Sequence, residues 1–336
     1  MRRMATATKP SRTASTSRDA ASELPARGAG QAREQRAWQA HAGPLLHAKN
    51  GFDVIACRAC GFAHAVPLPT PEALEKTYRE DYYRTDKPNY LVYAREDEDW
   101  LRLSFADRYA LFETLLPPDR RRILDVGTGP GFFLATGRDR GWITQGIEPA
   151  RQAAQHARGL GLDIVDGFLC DHTVHKLERC DVVHMSEVLE HVPDPKGIVA
   201  LAYSLLAPRG LICVSVPNDD NPLQDVLARA DHVAPWWVAP PHHLNYFNFA
   251  TLSALLEAQG FEVVARDTNF PMEMFLLMGD NYIGDDKIGR ALHAKRKRFD
   301  LAFARAGRDG VRRRLYRALA EAGFGRLAIV SARKRG

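Results

Sequence analysis

The stretch Leu124–Phe132, with the sequence LDVGTGPGF, decides the fold. An apolar segment leads into glycines at positions 127, 129 and 131, and apolar residues at helical spacing follow. Glycine allows a sharp backbone turn and the close approach of a ligand. Several nucleotide-binding folds place such a turn between a strand and a helix. The stretch therefore predicts a strand, a tight ligand-binding turn and a helix.

The residues after this turn alternate between short apolar strands and amphipathic helices. Such alternation predicts a parallel sheet covered by helices on both faces, an α/β doubly wound fold of seven mostly parallel strands. The predicted strands are Ile123–Gly127, Ile143–Glu148, Asp163–Val165, Asp181–Ser186, Leu211–Val216, Phe261–Arg266 and Leu327–Ala332. Helices are predicted at about 131–139, 150–158, 197–207 and 249–259, and another over 91–116.

Two acidic residues near the turn indicate the kind of ligand. The glycine spacing is G-x-G-x-G rather than the dinucleotide G-x-G-x-x-G, and Asp125 lies two residues before the first glycine. Glu148 closes the next strand, where a carboxylate can accept hydrogen bonds from both hydroxyls of a ribose. S-adenosylmethionine carries a ribose and two cationic groups, whereas Asp125 would repel the pyrophosphate of NAD. An NAD-dependent oxidoreductase is therefore the disfavoured alternative.

Further motifs follow at Asp181–Pro195, Leu206–Asn218 and His243–Phe247. Together with the turn, they make residues 120–270 resemble the class I S-adenosylmethionine-dependent methyltransferases, with a final strand near 327–332. The resemblance implies a Rossmann-like fold and S-adenosylmethionine (the methyl donor) as cofactor. It implies that Asp125, Gly127, Thr128, Gly129 and Gly131 line the methionine end of the donor, Glu148 holds the ribose, Gly167 and Phe168 contact adenine, and Ser186 and Glu187 edge the pocket.

The methyl acceptor is predicted to be a small molecule: a sugar, a nucleotide sugar, a quinone or phenol, or another secondary metabolite. Methylation of oxygen is favoured, and a hydroxyl acceptor needs a base, for which histidine suits neutral pH. The candidates are His191, in a Glu-His-Val segment that resembles quinone-type O-methyltransferases, and His242 and His243 in an aromatic-rich loop. The alternative role is fastening of a loop for His191 and ordinary packing of a long connection for His242 and His243.

Two other functions stay open. The chain could be a donor-binding protein of the same fold without turnover, although its intact donor motif argues against this. A nucleic-acid methyltransferase is disfavoured because Ser186–Leu189 replaces the Asn/Asp-Pro-Pro-aromatic segment common in such enzymes. The charge agrees: eight basic and three acidic residues in 1–36 account for the whole net charge of +5, so the remaining chain is neutral.

The region before residue 91 is predicted to be separate from the methyltransferase domain, 91–336. Residues 1–36 are predicted to be a disordered basic leader, and 37–90 a small ribbon-like unit with a helix after Thr70, through Tyr78. Cys57-x-x-Cys60 resembles half of a zinc ribbon whose other cysteine pair is absent; a closed zinc site needs four ligands. A metal-free ribbon is favoured, while zinc completed by His41 and His47, or a redox pair, stays open.

A basic insert, about 271–323, precedes the last strand and is predicted to be helical. Its basic residues have three interpretations. They form a solvated helical face balanced by acids elsewhere, bind a phosphate-bearing acceptor, or contact nucleic acid or an anionic membrane. The helical face is favoured. We expect no nucleic-acid partner and no transmembrane segment, because no apolar run approaches the roughly 18 residues needed to span a bilayer. Five cysteines and no signal-like apolar N-terminus favour a cytoplasmic protein. The oligomeric state stays open.

Overall fold

A computed structural model describes residues 40–70, 72, 79 and 90–336. The predicted leader, 1–36, and most of the helix predicted after Thr70 lie outside the described residues. The strands are β1 (Leu45–Lys49), β2 (Phe52–Ala56), β3 (Ala63–Val66), β4 (Arg122–Val126), β5 (Ile143–Glu148), β6 (Asp163–Asp166), β7 (Cys180–Ser186), β8 (Leu206–Pro217), β9 (Asn245–Tyr246), β10 (Phe261–Asp267) and β11 (Leu327–Lys334).

The helices follow the predicted order. They are α1 (Tyr90–Glu96), α2 (Glu98–Leu115), α3 (Phe132–Asp139), α4 (Arg151–Gly159), α5 (Pro195–Leu205), α6 (Pro222–Ala230), α7 (Phe249–Ala258), α8 (Glu273–Leu277), α9 (Asp286–Arg305) and α10 (Asp309–Glu321), with a short 3₁₀ turn at Val174–Lys176. The side chain of Asn248 caps α7 by accepting bonds from two backbone N–H groups, and the side chain of Asp194 caps α5. Among the described residues, no helix is long and apolar enough to cross a membrane.

The large sheet confirms the predicted fold class. Within the described residues it has seven strands in the order β10-β11-β8-β7-β4-β5-β6. Strands β8, β7, β4, β5 and β6 pair in parallel, and β11 pairs antiparallel with both β8 and β10. Strands β5 and β6 follow on one side of β4, and β7 and β8 on its other side, so the order of the strands reverses at β4. Ligands of open parallel sheets bind at such a switch point, beyond the carboxyl ends of the strands.

Both faces of this sheet are buried. The adjacent residues Val182 and Val183 of β7 are fully buried but belong to two different apolar clusters. Val182 packs in the cluster that contains Tyr109 of α2, and Val183 in the cluster that contains Leu252 of α7. Strands covered on both sides read as continuous apolar runs, which is why β7 and β8 were evident in the sequence.

The N-terminal segment forms a second, smaller sheet with the order β1-β2-β3-β9. All its pairs are antiparallel, and its last strand comes from the body of the protein: His64 of β3 pairs with Asn245 of β9. The N-terminal unit is thus joined by backbone pairing to the segment after β8, a connection that the sequence pattern did not reveal.

The basic insert forms helices α8, α9 and α10, of which α9 and α10 are joined by ion pairs to α2 and to Asp97 at its start. Lys297 of α9 pairs with Asp97, at the start of α2, and Arg312 and Arg313 of α10 pair with Asp107 at 2.7 and 3.0 Å. Arg312 is almost fully buried. These contacts favour the predicted helical face whose charge is balanced by acids elsewhere.

Candidate functional site

The glycine-rich turn lies between β4 and α3 and requires glycine at its first and third positions. Gly127, Gly129 and Gly131 have φ values of 72°, 55° and 90°, in the left-handed region that side chains disfavour. A Cβ atom on Gly127 would lie 2.6 Å from a methyl carbon of Val188, in the loop after β7. One on Gly131 would lie 2.7 Å from Leu162. Glycine is therefore required at these two positions, because neighbouring side chains of the protein fill the space that a Cβ atom would occupy.

Glu148, at the carboxyl end of β5, is held against this turn. Its carboxylate oxygens accept hydrogen bonds from the backbone N–H groups of Gly129 (2.7 Å) and Ala150 (2.9 Å). The N–H of Gly127 donates to the carbonyl oxygen of Ile147 at 2.9 Å. Burial raises the pKa of Glu148 to about 7. A buried carboxylate thus stands beside the open turn, ready to accept bonds from a polar ligand.

Asp125 lies below the turn and is buried with a network that the sequence did not predict. One of its carboxylate oxygens accepts a hydrogen bond from the Thr128 hydroxyl (2.8 Å), and the other is 2.7 Å from Nδ1 of His184. Nε2 of His184 accepts from a guanidinium nitrogen of Arg108 at 2.8 Å. This polarity places the ring proton on Nδ1, donating to Asp125, and burial lowers the pKa of His184. The Asp125 carboxylate therefore stabilises the position of Thr128 in the turn through this hydrogen bond.

The predicted adenine side is formed by the segment after β6. The N–H of Gly167 donates to the backbone carbonyl oxygen of Glu148 at 3.1 Å, which joins this segment to the end of β5. The half-buried ring of Phe168 has the guanidinium carbon of Arg79 5.9 Å from its centroid. Gly167 and Phe168 thus lie on the same edge of the sheet as the turn, next to Glu148.

The residues predicted to edge the donor pocket, Ser186 and Glu187, lie at the end of β7, and the predicted acceptor histidines lie in the loops beyond it. Ser186 ends the strand beside Ser215 of β8, and the exposed Glu187 has a φ of 57° while its N–H donates to the carbonyl oxygen of Ser215. The rings of His191 and His243 meet edge to face with centroids 5.1 Å apart. Nδ1 of His191 donates to the carbonyl oxygen of His242 at 2.7 Å. The structure therefore brings the three histidines together at the carboxyl edge of the sheet.

The search for relatives agrees with this geometry. A family model described as "Methyltransferase domain" matches residues 98–266, about half of the chain. The chain belongs to this methyltransferase family. The class I recognition and the donor expected from the sequence, S-adenosylmethionine, are thereby confirmed at the level of the family.

Two similar curated proteins carry the same name. The ubiquinone biosynthesis O-methyltransferase of Haemophilus ducreyi is 37% identical over 108 residues, 29% of this chain and 46% of that protein. The protein of the same name from Idiomarina loihiensis is 31% identical over 156 residues, 43% of this chain and 63% of that protein. The methyltransferase thus spans about half the length of the curated relatives it matches. A solved S-adenosylmethionine-dependent methyltransferase from Archaeoglobus fulgidus aligns with 73% of this chain and 99% of its own, with 18% identity and a TM-score of 0.48.

Sequence reasoning missed three buried polar residues of the methyltransferase. His184 sits mid-strand among apolar neighbours, and Arg108 among the apolar positions of α2; a charged or polar residue at a core position was the available signal. Asp219 follows β8, and burial raises its pKa well above the usual range for a carboxyl. Its own N–H donates to the carbonyl oxygen of Phe247 at 2.7 Å. The Asn-Asp-Asp-Asn run after a predicted strand could have indicated this acid.

The cysteine pair of the N-terminal sheet has two histidine neighbours. His41 lies within 3.5 Å of the sulfur atoms of both Cys57 and Cys60, and His64 completes the group. His47, named from the sequence as a substitute ligand, is elsewhere: its ring nitrogen is 3.4 Å from Asp220. The ligand-like partner that the sequence missed is thus His64, whose spacing from the cysteines gave no familiar pattern.

Proposed function

We propose that the chain transfers a methyl group from S-adenosylmethionine to a hydroxyl oxygen of a small aromatic acceptor of the phenol or quinone type. The observation that carries the proposal is the alignment of two half-sites along one sheet edge. The glycine turn with Glu148 forms one, and the cluster of His191, His242 and His243 forms the other. The contact between Gly127 and Val188 joins them, because Val188 precedes His191 by three residues in the same loop.

The donor half-site fits S-adenosylmethionine by its shape and chemistry. Gly127, Gly129 and Gly131 bring no side chains to the turn and give it a left-handed backbone, which suits the close approach of a ligand. Glu148 offers a buried carboxylate to the two ribose hydroxyls, exchanging its backbone bond to Gly129 for theirs. When bound, the donor supplies a sulfonium-activated methyl group. The chain's own task is to orient the two reactants and exclude water, which can lower a barrier by roughly 7–11 kcal/mol.

The acceptor half-site supplies a base with a defined tautomer. His191 donates its Nδ1 proton to the carbonyl oxygen of His242, so Nε2 carries the lone pair that receives the acceptor's proton. The buried carboxylate of Glu190 lies 3.9 Å from Nε2 and would stabilise the imidazolium that results. The edge of His243 against His191 limits rotation of the ring. The acceptor oxygen bonds to the methyl carbon as the carbon–sulfur bond breaks, and the proton passes to His191.

The phenol or quinone class is favoured over sugars by the name that the curated relatives share. A phosphate-bearing acceptor has less support, since cations of the insert such as Arg312 and Arg313 are paired with Asp107. The donor-binding protein without turnover stays as the alternative.

Turnover with a panel of acceptors tests the proposal. The assay follows S-adenosylhomocysteine release with catechols and reduced quinones on one side, and sugars and nucleotide sugars on the other. We expect turnover with the first group and a loss of about 10²–10⁴-fold in kcat in His191→Asn, with donor affinity unchanged. His175→Asn, at an exposed histidine after β6, is the control and should match the parent. Turnover confined to sugars, or equal kcat in His191→Asn, would contradict the proposal.

A further inference from the structure

Four side chains with metal-binding atoms converge at one end of the small sheet. They are His41, Cys57, Cys60 and His64, and their ligand atoms all lie within 4.8 Å of one another. Nδ1 of His41 is 3.5 Å from the sulfur of Cys57 and 3.3 Å from that of Cys60. Zinc bonds of about 2.3 Å to sulfur and about 2.0–2.1 Å to nitrogen place tetrahedral neighbours roughly 3.5 Å apart. The two separations between His41 and the cysteine sulfur atoms match that geometry.

The backbone holds the two cysteines in a tight turn. The N–H of Gly61 donates to the carbonyl oxygen of Cys57 at 2.9 Å, and the N–H of Cys57 donates to the carbonyl oxygen of Phe62 at 3.2 Å. Gly61 has a φ of 80°, which glycine adopts without strain. Both sulfur atoms therefore face the same side of the turn, toward the incoming histidines.

The two histidines are oriented by the sheet and the segment before it. His64 lies in β3, in register with Ile55 of β2 and Asn245 of β9. Its Nδ1 donates to the carbonyl oxygen of Ala65 at 3.0 Å, which leaves the lone pair on Nε2. A hydrogen bond from the other ring nitrogen to a carbonyl is the usual support of a zinc-bound histidine. The segment of His41 is tied to the turn where the N–H of Arg58 donates to the carbonyl oxygen of Ala42.

The chemistry of the four side chains favours zinc. Two thiols and two imidazoles form a closed set of four ligands, the arrangement of structural zinc sites. Soft sulfur ligands with imidazole also disfavour magnesium and calcium, which take oxygen ligands.

We propose that Cys57, Cys60, His41 and His64 bind one structural zinc ion through two sulfur and two nitrogen atoms, with Nδ1 of His41 and Nε2 of His64 as the nitrogens. The site lies outside the donor and acceptor half-sites and takes no part in methyl transfer.

The ion has a mechanical consequence for the acceptor side. His64 pairs with Asn245, whose side-chain amide donates to the carbonyl oxygens of Leu189 (2.8 Å) and Val192 (2.7 Å). These two carbonyls flank His191 in the loop after β7. The proposed zinc site is thus connected, through the pairing of β3 with β9 and the side chain of Asn245, to the segment that carries the proposed base.

Metal content and cobalt spectroscopy test the site without reference to activity. The full chain, purified under reducing conditions from zinc-supplemented cells, should contain one zinc per chain by mass spectrometry. Replacement by Co²⁺ should give the intense visible bands of tetrahedral cobalt and a thiolate-to-cobalt charge-transfer band. Cys57→Ser should lose the charge-transfer intensity in part and weaken retention of zinc during dialysis against a chelator. Cys170→Ser, at a half-buried cysteine outside the cluster, is the matched control and should keep both.

The outcomes separate clearly. A zinc-free parent that also binds neither Zn²⁺ nor Co²⁺ after reduction would overturn the proposal, as would a cobalt spectrum of octahedral type. Equal zinc retention in Cys57→Ser and the parent would overturn it too. If Cys57→Ser fails to fold, the cobalt spectrum of the parent decides by itself, since thiolate charge transfer requires bound cysteine. None of these results depends on which acceptor is methylated.

Discussion

Replacing Asp125 with asparagine removes one charge and one acceptor from the network beneath the glycine turn. The parent carboxylate accepts two hydrogen bonds, from the Thr128 hydroxyl at 2.8 Å and from Nδ1 of His184 at 2.7 Å. Asparagine has one acceptor oxygen, and its amide nitrogen must face one of those two donors. Since Asp125 is only 3% exposed, water cannot take over the lost bond easily.

The expected loss of stability follows from these contacts. A hydrogen bond to a charged group contributes about 1.5–3 kcal/mol, and the donor left facing an amide carries a further penalty. The buried guanidinium of Arg108 donates to Nε2 of His184, whose Nδ1 donates to Asp125. The substitution therefore also removes the negative charge that contacts the partner of this buried cation. Breaking a buried charge network by removing one partner typically costs about 3–5 kcal/mol. We therefore predict that Asp125→Asn lowers the free energy of unfolding by about 3 kcal/mol.

Urea unfolding of the parent and the variant, followed by tryptophan fluorescence, measures this change. The matched control is Asp166→Asn, at the end of β6, where an exposed carboxylate pairs with Arg158 at 2.8 Å. Such surface pairs contribute about 0–1 kcal/mol, so the control should stay close to the parent. If the two variants lost equal stability, Asp125 would not be held as described, and the account of the turn's support would be wrong.

Three further predictions concern the turn, the donor carboxylate and the insert. Gly131→Ala should lower the free energy of unfolding in urea by about 2–5 kcal/mol, because alanine there is strained and overpacks the neighbouring side chains. Gly141 also has a positive φ, of 84°, but nothing lies near its Cβ position, so Gly141→Ala should cost only about 1–2 kcal/mol. Equal losses in the two variants would contradict the predicted clash at Gly131. The pKa of Glu148 is raised to about 7, so the fraction of ionised Glu148 increases as the pH rises. The affinity for the donor, measured by calorimetry, should therefore increase from pH 6 to pH 8. An affinity that does not change with pH would refute this prediction. Asp300→Ala should lower the free energy of unfolding by about 3–5 kcal/mol, because this buried carboxylate accepts a hydrogen bond from Trp100 at 2.7 Å. The affinity for the donor should stay at the parent value. A loss of stability below about 1 kcal/mol would exclude a structural role for Asp300.

The parallel sheet could be predicted because its physics is local. Strands buried on both faces are continuous apolar runs, and glycines at 127, 129 and 131 mark a turn that few other residues can make. The strand ends agree closely: β5 was predicted and observed at Ile143–Glu148. The strand β8 was predicted from Leu211 but begins at Leu206. Pro208, Arg209 and Gly210 interrupt the apolar pattern of the sequence, and Leu206 lies beside Cys180, at the start of β7, only after folding.

Features that depend on distant residues could not be predicted. The contact of His184 with Asp125 joins two strands 59 residues apart, and the pairing of His64 with Asn245 joins segments separated by 181 positions. No periodicity in the sequence encodes either pairing. The proposed donor residues could be named because their motif is local, whereas the group of four potential metal ligands was incompletely identified, with His47 considered in place of His64.

Calorimetric titration with S-adenosylhomocysteine, using NADH as the competing ligand class, tests the central claim that the glycine turn and Glu148 form the donor site. The parent should bind S-adenosylhomocysteine and not NADH. Glu148→Gln, which keeps the size of the side chain, should bind it about 10- to 100-fold more weakly, because a hydrogen bond to a charged group contributes about 1.5–3 kcal/mol. Unchanged affinity in Glu148→Gln, or binding of NADH by the parent, would contradict the account.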